Sequence, residues 1–119
     1  MILCSNPKSQ YLAHKDEIDL AVRQVLSGGQ FVLGKNVREF EKEFSEYIGS
    51  RHAVSVGNGT DALCLVMRAM GLGPGDEVIA PSHTATATIA AITMTGAIPV
   101  FADVESAHYT LDPLSVSQA

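Results

Sequence analysis

A short glycine-rich segment, Gly57–Ala62, has the residue types and spacing of a turn between a β-strand and an α-helix that binds an anion. Its two glycines let the backbone approach a ligand closely. The amides of Gly59, Thr60 and Asp61 would point outwards at the positive end of the helix dipole, and the Thr60 hydroxyl adds a donor. The segment predicts an anion pocket, usually for phosphate. The alternative, equally open from these residues, is that Asn58 or Thr60 only caps the helix.

Two nucleotide-binding patterns compete with this interpretation. Gly57-x-Gly59-x-x-Ala62 also satisfies the dinucleotide fingerprint. A ribose would need an acidic residue at the end of the second strand, whereas Asp76 and Glu77 lie at its beginning. The chain has no GxxxxGK[ST] motif for a nucleoside triphosphate. Both patterns are therefore disfavoured.

A histidine follows the next predicted strand, in the segment Pro81–Thr84. Ligands of open α/β sheets bind beyond the carboxyl ends of the strands, so His83 could stack on, or hydrogen-bond to, whatever the phosphate anchors. A lone histidine is more often a loop residue, and that alternative stays open. Asp103 ends the third predicted strand and is more simply a polar strand end than a ligand-binding residue. No metal site is predicted, because no spacing for metal ligation relates the other histidines, His14, His52 and His108.

The periodicity of apolar residues predicts the elements that position these groups. Two amphipathic helices come first, one over 12–26 that Gly28 ends in a left-handed turn, and one over 37–48 with Gly49 beyond it. Strands and helices then alternate: strand 52–56, helix 60–70, strand 77–80, helix 84–95, strand 98–104, and a helix that begins at Asp112-Pro113. Helix 60–70 is so apolar that we expect it to be buried on most sides.

This succession, amino-terminal helices followed by βαβαβα, predicts an α/β fold with a mainly parallel sheet. Three strands with two open edges make an incomplete sheet, so we expect part of a larger domain. We divide the chain into an amino-terminal helical segment, 1–50, and the first part of the α/β domain, 51–119.

Composition excludes several classes of protein. The 119 residues are 46% hydrophobic and carry a net charge of −5, without a basic run or a tryptophan, so nucleic acid is not an expected partner. Prolines, glycines and threonines interrupt the stretch 78–101, and the amino terminus lacks the pattern of a signal peptide, so no membrane partner is expected. Isolated Cys4 and Cys64 favour free thiols in a reducing compartment, which predicts a cytoplasmic location.

An ordered set of motifs runs through the chain. It consists of Gly34-x-x-Val37-x-x-Phe40-Glu41-x-x-Phe44, the segments 57–63, 73–79 and 81–84, Thr88, and Gly96-Ala97-x-Pro99-Val100-Phe101. The set closely resembles the amino-terminal part of the sugar aminotransferases of the DegT/DnrJ/EryC1/StrS family. The resemblance extends from about Tyr11 to the last residue, which makes it more specific than any single motif.

The resemblance implies a fragment of the large domain of a fold-type I, aspartate aminotransferase-like enzyme, with residues 51–119 as the first part of the domain that binds pyridoxal phosphate. Such enzymes transfer an amino group, usually from glutamate, to a keto group on a nucleotide-linked sugar, for amino-sugar, polysaccharide or antibiotic-sugar biosynthesis. The implied partners are a nucleotide sugar, an amino-acid donor and a second copy of the chain in a homodimer.

The resemblance also implies roles for single residues. Gly59 and Thr60 match residues that hold the cofactor phosphate, in agreement with the helix argument above. Ala85 stands where family members commonly place an aromatic residue against the pyridine ring, and His83 is the substitute candidate. The loop 28–34 resembles a family segment near the sugar nucleotide. The lysine that binds the cofactor covalently would lie beyond Ala119, so no catalytic residue is assigned and we expect residues 1–119 alone to be inactive.

Two other functions stay open at this point. The chain could be a truncated, catalytically inactive module that binds phosphate or a partner. It could also begin a dehydratase variant of the same family in which the lysine is replaced. The sugar, its nucleotide and the carbon that receives the amino group are not predicted.

Overall fold

The computed structural model describes residues 4–119, which fall into two compact units, the described residues up to 55 and Val56–Ala119. The first three residues, part of the predicted segment 1–50 and of the amino terminus considered for a signal peptide, lie outside the described residues. The predicted boundary between residues 50 and 51 stays a prediction.

The first unit is helical, with α1 (Pro7–Ala13), α2 (Lys15–Gly28) and α3 (Lys35–Ile48). The single helix predicted over 12–26 is wrong in its boundaries, because the chain leaves the helical conformation at His14, with φ −120° and ψ 23°. Helix α2 then continues through Gly28. Gly29, with φ 71°, takes the left-handed position that we expected at Gly28.

Helix α3 confirms the second prediction, starts two residues earlier than expected and ends at left-handed Gly49, with φ 70°. Two ion pairs spaced by one helical turn, Lys35–Glu39 at 3.4 Å and Lys42–Glu46 at 3.9 Å, lie on its polar face. On its apolar face the rings of Phe40 and Phe44 stack with centroids 5.6 Å apart. These two rings are 57% and 43% exposed, so the apolar face is largely uncovered.

The second unit contains α4 (Gly59–Ala69), β1 (Glu77–Pro81), α5 (Thr86–Thr95), β2 (Ile98–Ala102) and α6 (Pro113–Gln118). The two strands are parallel, in a register that pairs Glu77 with Ile98 and Pro81 with Ala102. This βαβ arrangement confirms the predicted α/β class and parallel sheet. Helix α6 begins as predicted, because the Asp112 carboxylate accepts a hydrogen bond from the Leu114 amide at 2.9 Å.

The strand predicted over 52–56 is absent. A β-strand requires a neighbour for its ladder hydrogen bonds, and no described segment forms a ladder with these residues. The only hydrogen bond of the segment with a helix comes from the Ser55 amide, which donates to the Glu41 carboxylate at 2.7 Å. Val54 is 79% exposed. Strand-forming residue types were therefore insufficient to make a strand here.

The core of the second unit lies between α5 and the sheet. Ala80, Ile92 and Ala97 are buried, and Met67, Val78 and Ile89 pack against them. Helix α4 packs on α5 through one face, where the free thiol of Cys64 is buried. We expected α4 to be buried on most sides, and this prediction is wrong for the structure, because three of its apolar side chains are exposed: Leu63, Leu65 and Val66.

A hydrogen bond between the carboxyl ends of α4 and α5 shows that the two helices run in the same direction. The Arg68 guanidinium, in the last turn of α4, donates to the Met94 carbonyl near the end of α5 at 2.9 Å. The two helices have 11 and 10 residues, about 16 and 15 Å. Their amino termini therefore lie at the same end of the unit, at the carboxyl edge of β1 and β2.

Candidate functional site

The amino terminus of α4 is capped by Asn58. The Asn58 side chain accepts a hydrogen bond from the Asp61 amide at 2.9 Å and donates one to the Asp61 carboxylate at 3.0 Å. The Asn58 carbonyl accepts the first helical bond, from the Ala62 amide at 3.1 Å. Asn58 is thus the residue that caps the helix, one of the two candidates of the simpler alternative, and Thr60 is not the cap.

The cap leaves donors free. We expected three outward amides, but the Asp61 amide is used by Asn58, which reduces the set to two. Within residues 4–119, the amides of Gly59 and Thr60 and the Thr60 hydroxyl have no hydrogen-bond partner. These groups lie at the positive end of α4, where the helix dipole favours an anion. Capping and anion binding are therefore compatible here.

The two glycines of this turn have different roles. A Cβ atom at Gly57 would lie 2.9 Å from the Asp61 carboxylate, so a larger residue there would require that carboxylate to shift. A Cβ atom at Gly59 would meet no atom within 4 Å. The space beside Gly59 is therefore open.

His83 and Ala85 lie between β1 and α5, at the same edge of the sheet. Helix α5 begins at Thr86, two residues later than predicted, and Ala85 is its N-cap without a side-chain hydrogen bond. The Ala85 carbonyl accepts from the Thr88 amide at 2.9 Å, and the hydroxyls of Thr84 and Thr88 are 3.0 Å apart. His83 is exposed, and its methyl-sized neighbour Ala85 offers no ring to a ligand.

One aromatic residue at this edge, Tyr109, was not predicted from the sequence. Its ring centroid lies 6.4 Å from that of His83, with the ring planes inclined by 46°. Tyr109 is in the loop between β2 and α6, with φ 59° and 69% of its surface exposed. Nothing in the local pattern marks it, because the loop only approaches His83 once the two strands pair.

The loop that carries Tyr109 is built around the Glu105 carboxylate. This carboxylate accepts hydrogen bonds from the amides of Ala107 and His108, both at 2.7 Å, and contacts the His108 ring at 2.8 Å. The Ala107 amide is the main reason that the pKa of Glu105 lies below its ordinary value, with the His108 groups and the Thr110 hydroxyl adding to it.

The backbone amide and carbonyl of Asp103 form hydrogen bonds at this edge of the sheet. Its amide donates to the Ser115 hydroxyl at 2.8 Å, and its carbonyl accepts from the Asp112 amide at 2.9 Å. These bonds attach α6 to the end of β2. The simpler interpretation of Asp103, a polar residue that ends a strand, agrees with this geometry.

The first unit has a cleft of its own, of about 400 Å³, between the end of α2 and the start of α3. Its walls include the loop 28–34 that the sequence analysis singled out. Polar side chains outnumber apolar ones along it: Gln24, Gln30, Lys35 and Asn36, with Val25, Phe31 and Val37. Gly34 is buried there, and a Cβ atom on it would lie 3.0 Å from the Gln30 carbonyl oxygen.

Two further kinds of feature are absent from residues 4–119. No helix there is long and apolar enough to cross a membrane. No group of three or more histidine, cysteine, aspartate or glutamate side chains is arranged to hold a metal ion.

The topology and the site define a class of protein. The second unit is the beginning of the large α/β domain of a fold-type I aminotransferase, with a pair of free amides at the carboxyl edge of its parallel sheet. Residues 13–119 match the DegT/DnrJ/EryC1/StrS aminotransferase family, and the chain belongs to that family.

Known proteins of similar sequence and structure support this assignment. The chain is 43% identical over 106 residues to the UDP-2-acetamido-2-deoxy-3-oxo-D-glucuronate aminotransferase of Pseudomonas aeruginosa, covering 89% of this chain and 30% of that enzyme. The crystal structure of S. venezuelae DesV with a ketimine intermediate matches with a TM-score of 0.90 and 45% identity, over 95% of this chain and 30% of DesV.

A third similar protein was solved with a bound cofactor. The structure of NtdA from Bacillus subtilis with bound pyridoxamine phosphate matches with a TM-score of 0.85 and 33% identity, over 90% of this chain and 25% of NtdA. The chain thus spans about 30% of the length of the curated relative described above.

Proposed function

We propose that this chain is the amino-terminal part of a pyridoxal phosphate-dependent aminotransferase that acts on a nucleotide-linked keto sugar. The proposal rests on membership of the aminotransferase family and on the sugar aminotransferase activity in the relative's name. The observation that carries it to this chain is the pair of unpartnered amides, Gly59 and Thr60, beside open space at the start of α4.

Pyridoxal phosphate would supply the electron sink that lets an amino group move between an amino acid and a keto group. The residues of this chain would bind and orient it. Gly59 and Thr60 would hold the phosphate through two amides and one hydroxyl, at the positive end of α4. Asn58 would keep the Asp61 amide and carboxylate engaged, so that the two free amides stay in place.

The ring of the cofactor would lie towards the segment 82–85. His83 would contact the ring, since Ala85 has no aromatic surface. The loop 28–34, which forms part of the cleft between α2 and α3, would contribute to binding the sugar nucleotide, as its resemblance to the family segment implies. Glutamate as amino donor and assembly as a homodimer belong to the same proposal and are supported by the family resemblance, and a cytoplasmic location is supported by the isolated Cys4 and Cys64.

An assay of the complete enzyme tests the proposal. L-Glutamate is supplied with a UDP- or dTDP-linked 3-keto sugar, and 2-oxoglutarate and the sugar product are measured by mass spectrometry. We expect more than one equivalent of 2-oxoglutarate per enzyme to form only when the keto sugar is present, together with a nucleotide-linked amino sugar. A product that has lost a hydroxyl group and gained no nitrogen would contradict the proposal and indicate the dehydratase variant. No cofactor binding and no product would indicate an inactive module.

A further inference from the structure

Tyr109 and His83, whose rings form a pair, lie in two separate connections between strands and helices. His83 follows β1 and Tyr109 follows β2, and these parallel neighbours end at the same edge of the sheet. Their centroids are 6.4 Å apart, within the range of interacting aromatic pairs. Tyr109 nevertheless leaves 69% of its surface exposed. One ring therefore supports the other, while most of the Tyr109 face stays free.

The backbone around Tyr109 is held in place on both sides. Its amide donates to the Glu105 carbonyl at 3.0 Å, and the Glu105 amide donates to the Thr110 carbonyl at 2.9 Å. The Glu105 carboxylate also binds the two amides that precede Tyr109 in the chain. The position of the ring is thus set by a compact loop with many internal hydrogen bonds.

The conformation of Tyr109 is unfavourable for its residue type. With φ 59° it occupies the left-handed region, which glycine and asparagine adopt at lower cost than a bulky residue. Glycine or asparagine would form this turn at a lower energetic cost than tyrosine. An outlier of this kind, with its ring exposed at the edge where the free amides lie, points to a function for the ring.

We propose that Tyr109, supported by His83, makes the aromatic contact with the cofactor ring that Ala85 cannot make. This inference rests on the proposed function and adds a residue to the site. The two inclined rings would let a flat heteroaromatic ring stack on one of them and meet the edge of the other, which are the two favoured geometries of aromatic pairs.

The test measures binding of pyridoxamine phosphate to the complete apoenzyme by titration, because this form of the cofactor has no aldehyde and its affinity reports only non-covalent contacts. Tyr109→Asn removes the ring but suits the left-handed backbone, so the loop is retained. We expect its Kd to rise about three- to tenfold, the range of one aromatic contact, and Tyr109→Phe to stay within about twofold of the parent.

A neighbouring residue provides the matched control. His108→Ala changes the same loop and leaves Tyr109 in place, and its Kd should stay within about twofold of the parent. Thermal unfolding should show Tyr109→Asn as stable as the parent or more so, because a left-handed tyrosine has been relieved.

The outcomes separate this inference from the proposed function. If Thr60→Ala weakens binding but Tyr109→Asn binds like the parent, the contact with Tyr109 is wrong and the phosphate site stands. If His108→Ala weakens binding as much as Tyr109→Asn does, the loop matters and the ring does not, which also overturns the inference. If the parent apoenzyme does not bind pyridoxamine phosphate, the proposed function and the inference both fail.

Discussion

The two ends of the α/β unit use their polar groups in opposite ways. At the amino edge of the sheet, the Asp76 carboxylate accepts from the Gly73 amide at 2.8 Å and the Asp76 carbonyl accepts from the Ile98 amide at 2.9 Å. Arg68 binds the Met94 carbonyl at the same end. At the carboxyl edge, the amides of Gly59 and Thr60 have no partner within residues 4–119.

This difference separates stability from binding. Buried backbone groups are nearly always paired, because an unpaired buried group loses the hydrogen bond that water would give it, whereas the first amides of an exposed helix can bond to water or to a ligand. At the amino edge, the polar groups named above are paired within the unit, and these bonds hold the helices and strands together. The carboxyl edge leaves donors for something outside the unit, which is typical of ligand sites in α/β proteins. Substitutions at one end should therefore change stability, and those at the other should change ligand affinity.

The largest expected effect is at the amino edge. Gly96 has φ 88°, and a Cβ atom there would lie 2.9 Å from Cγ of Pro74. We expect Gly96→Ala to lower the free energy of unfolding by about 2–4 kcal/mol, the sum of a left-handed alanine and an overpacked contact. Urea unfolding measures it. Gly75→Ala is the control, since Gly75 has φ 95° and no atom within 4 Å of its Cβ position, and should cost about 1–2 kcal/mol.

Equal losses in these two glycine variants would mean that the contact with Pro74 contributes nothing beyond the backbone conformation. A loss of cofactor affinity in Gly96→Ala, with the fold intact, would contradict the view that the amino edge determines stability and the carboxyl edge determines ligand affinity.

The next largest effect concerns ligand binding at the carboxyl edge. Thr60→Ala removes one hydroxyl donor to the proposed phosphate and should weaken cofactor binding by about 1–3 kcal/mol, with little change in stability. Titration of the apoenzyme measures it. Thr93→Ala is the matched control, because the Thr93 hydroxyl bonds only to carbonyls of its own helix, Ile89 at 3.2 Å and Ala90 at 2.9 Å. Unchanged affinity in Thr60→Ala would remove Thr60 from the site.

A smaller effect is expected from substitution of Asn58, which caps α4 beside the proposed phosphate site. Asn58→Ala removes the acceptor for the Asp61 amide and should destabilise the protein by about 1 kcal/mol, whereas Asn58→Ser should retain most of the cap. The midpoint of thermal unfolding measures both. If Asn58→Ser is as unstable as Asn58→Ala, the contact of the Asn58 amide with the Asp61 carboxylate matters more than the cap.

The smallest effect is expected at His83. His83→Ala should weaken cofactor binding by about 0.5–1.5 kcal/mol if the imidazole contacts the ring or supports Tyr109, and His83→Phe should keep most of the affinity. The same titration measures it. Parent-like binding by both variants would identify His83 as a structural residue between β1 and α5.

Local patterns predicted most of the elements correctly. The apolar periodicity of α3, the glycine at its end and the Asp112-Pro113 start of α6 are effects within one or two helical turns, and the structure has them. The turn at 57–60 was predicted for the same reason, because a capped helix start after two glycines needs no distant partner. The same local argument, however, left the anion pocket and the simple cap undecided.

Two of the errors concern partners at a distance. Segment 52–56 has strand-forming residues but no neighbouring strand, and α4 is apolar around most of its surface yet packs through one face. A third error is local, because Gly29, with φ 71°, and not Gly28 takes the left-handed position at the end of α2. None of these outcomes can be computed from residue types alone.

What the sequence determined by itself is the four helices α3 to α6, the order of β1, α5 and β2 in the second unit, the candidate donors Gly59 and Thr60, and the family resemblance. The tertiary structure decided which amides Asn58 leaves free, that α4 and α5 start at the same edge, and that Tyr109 reaches His83 across two connections. The physical reason is that capping and periodicity act over a few residues, whereas the pairing of parallel strands brings together groups far apart in the chain.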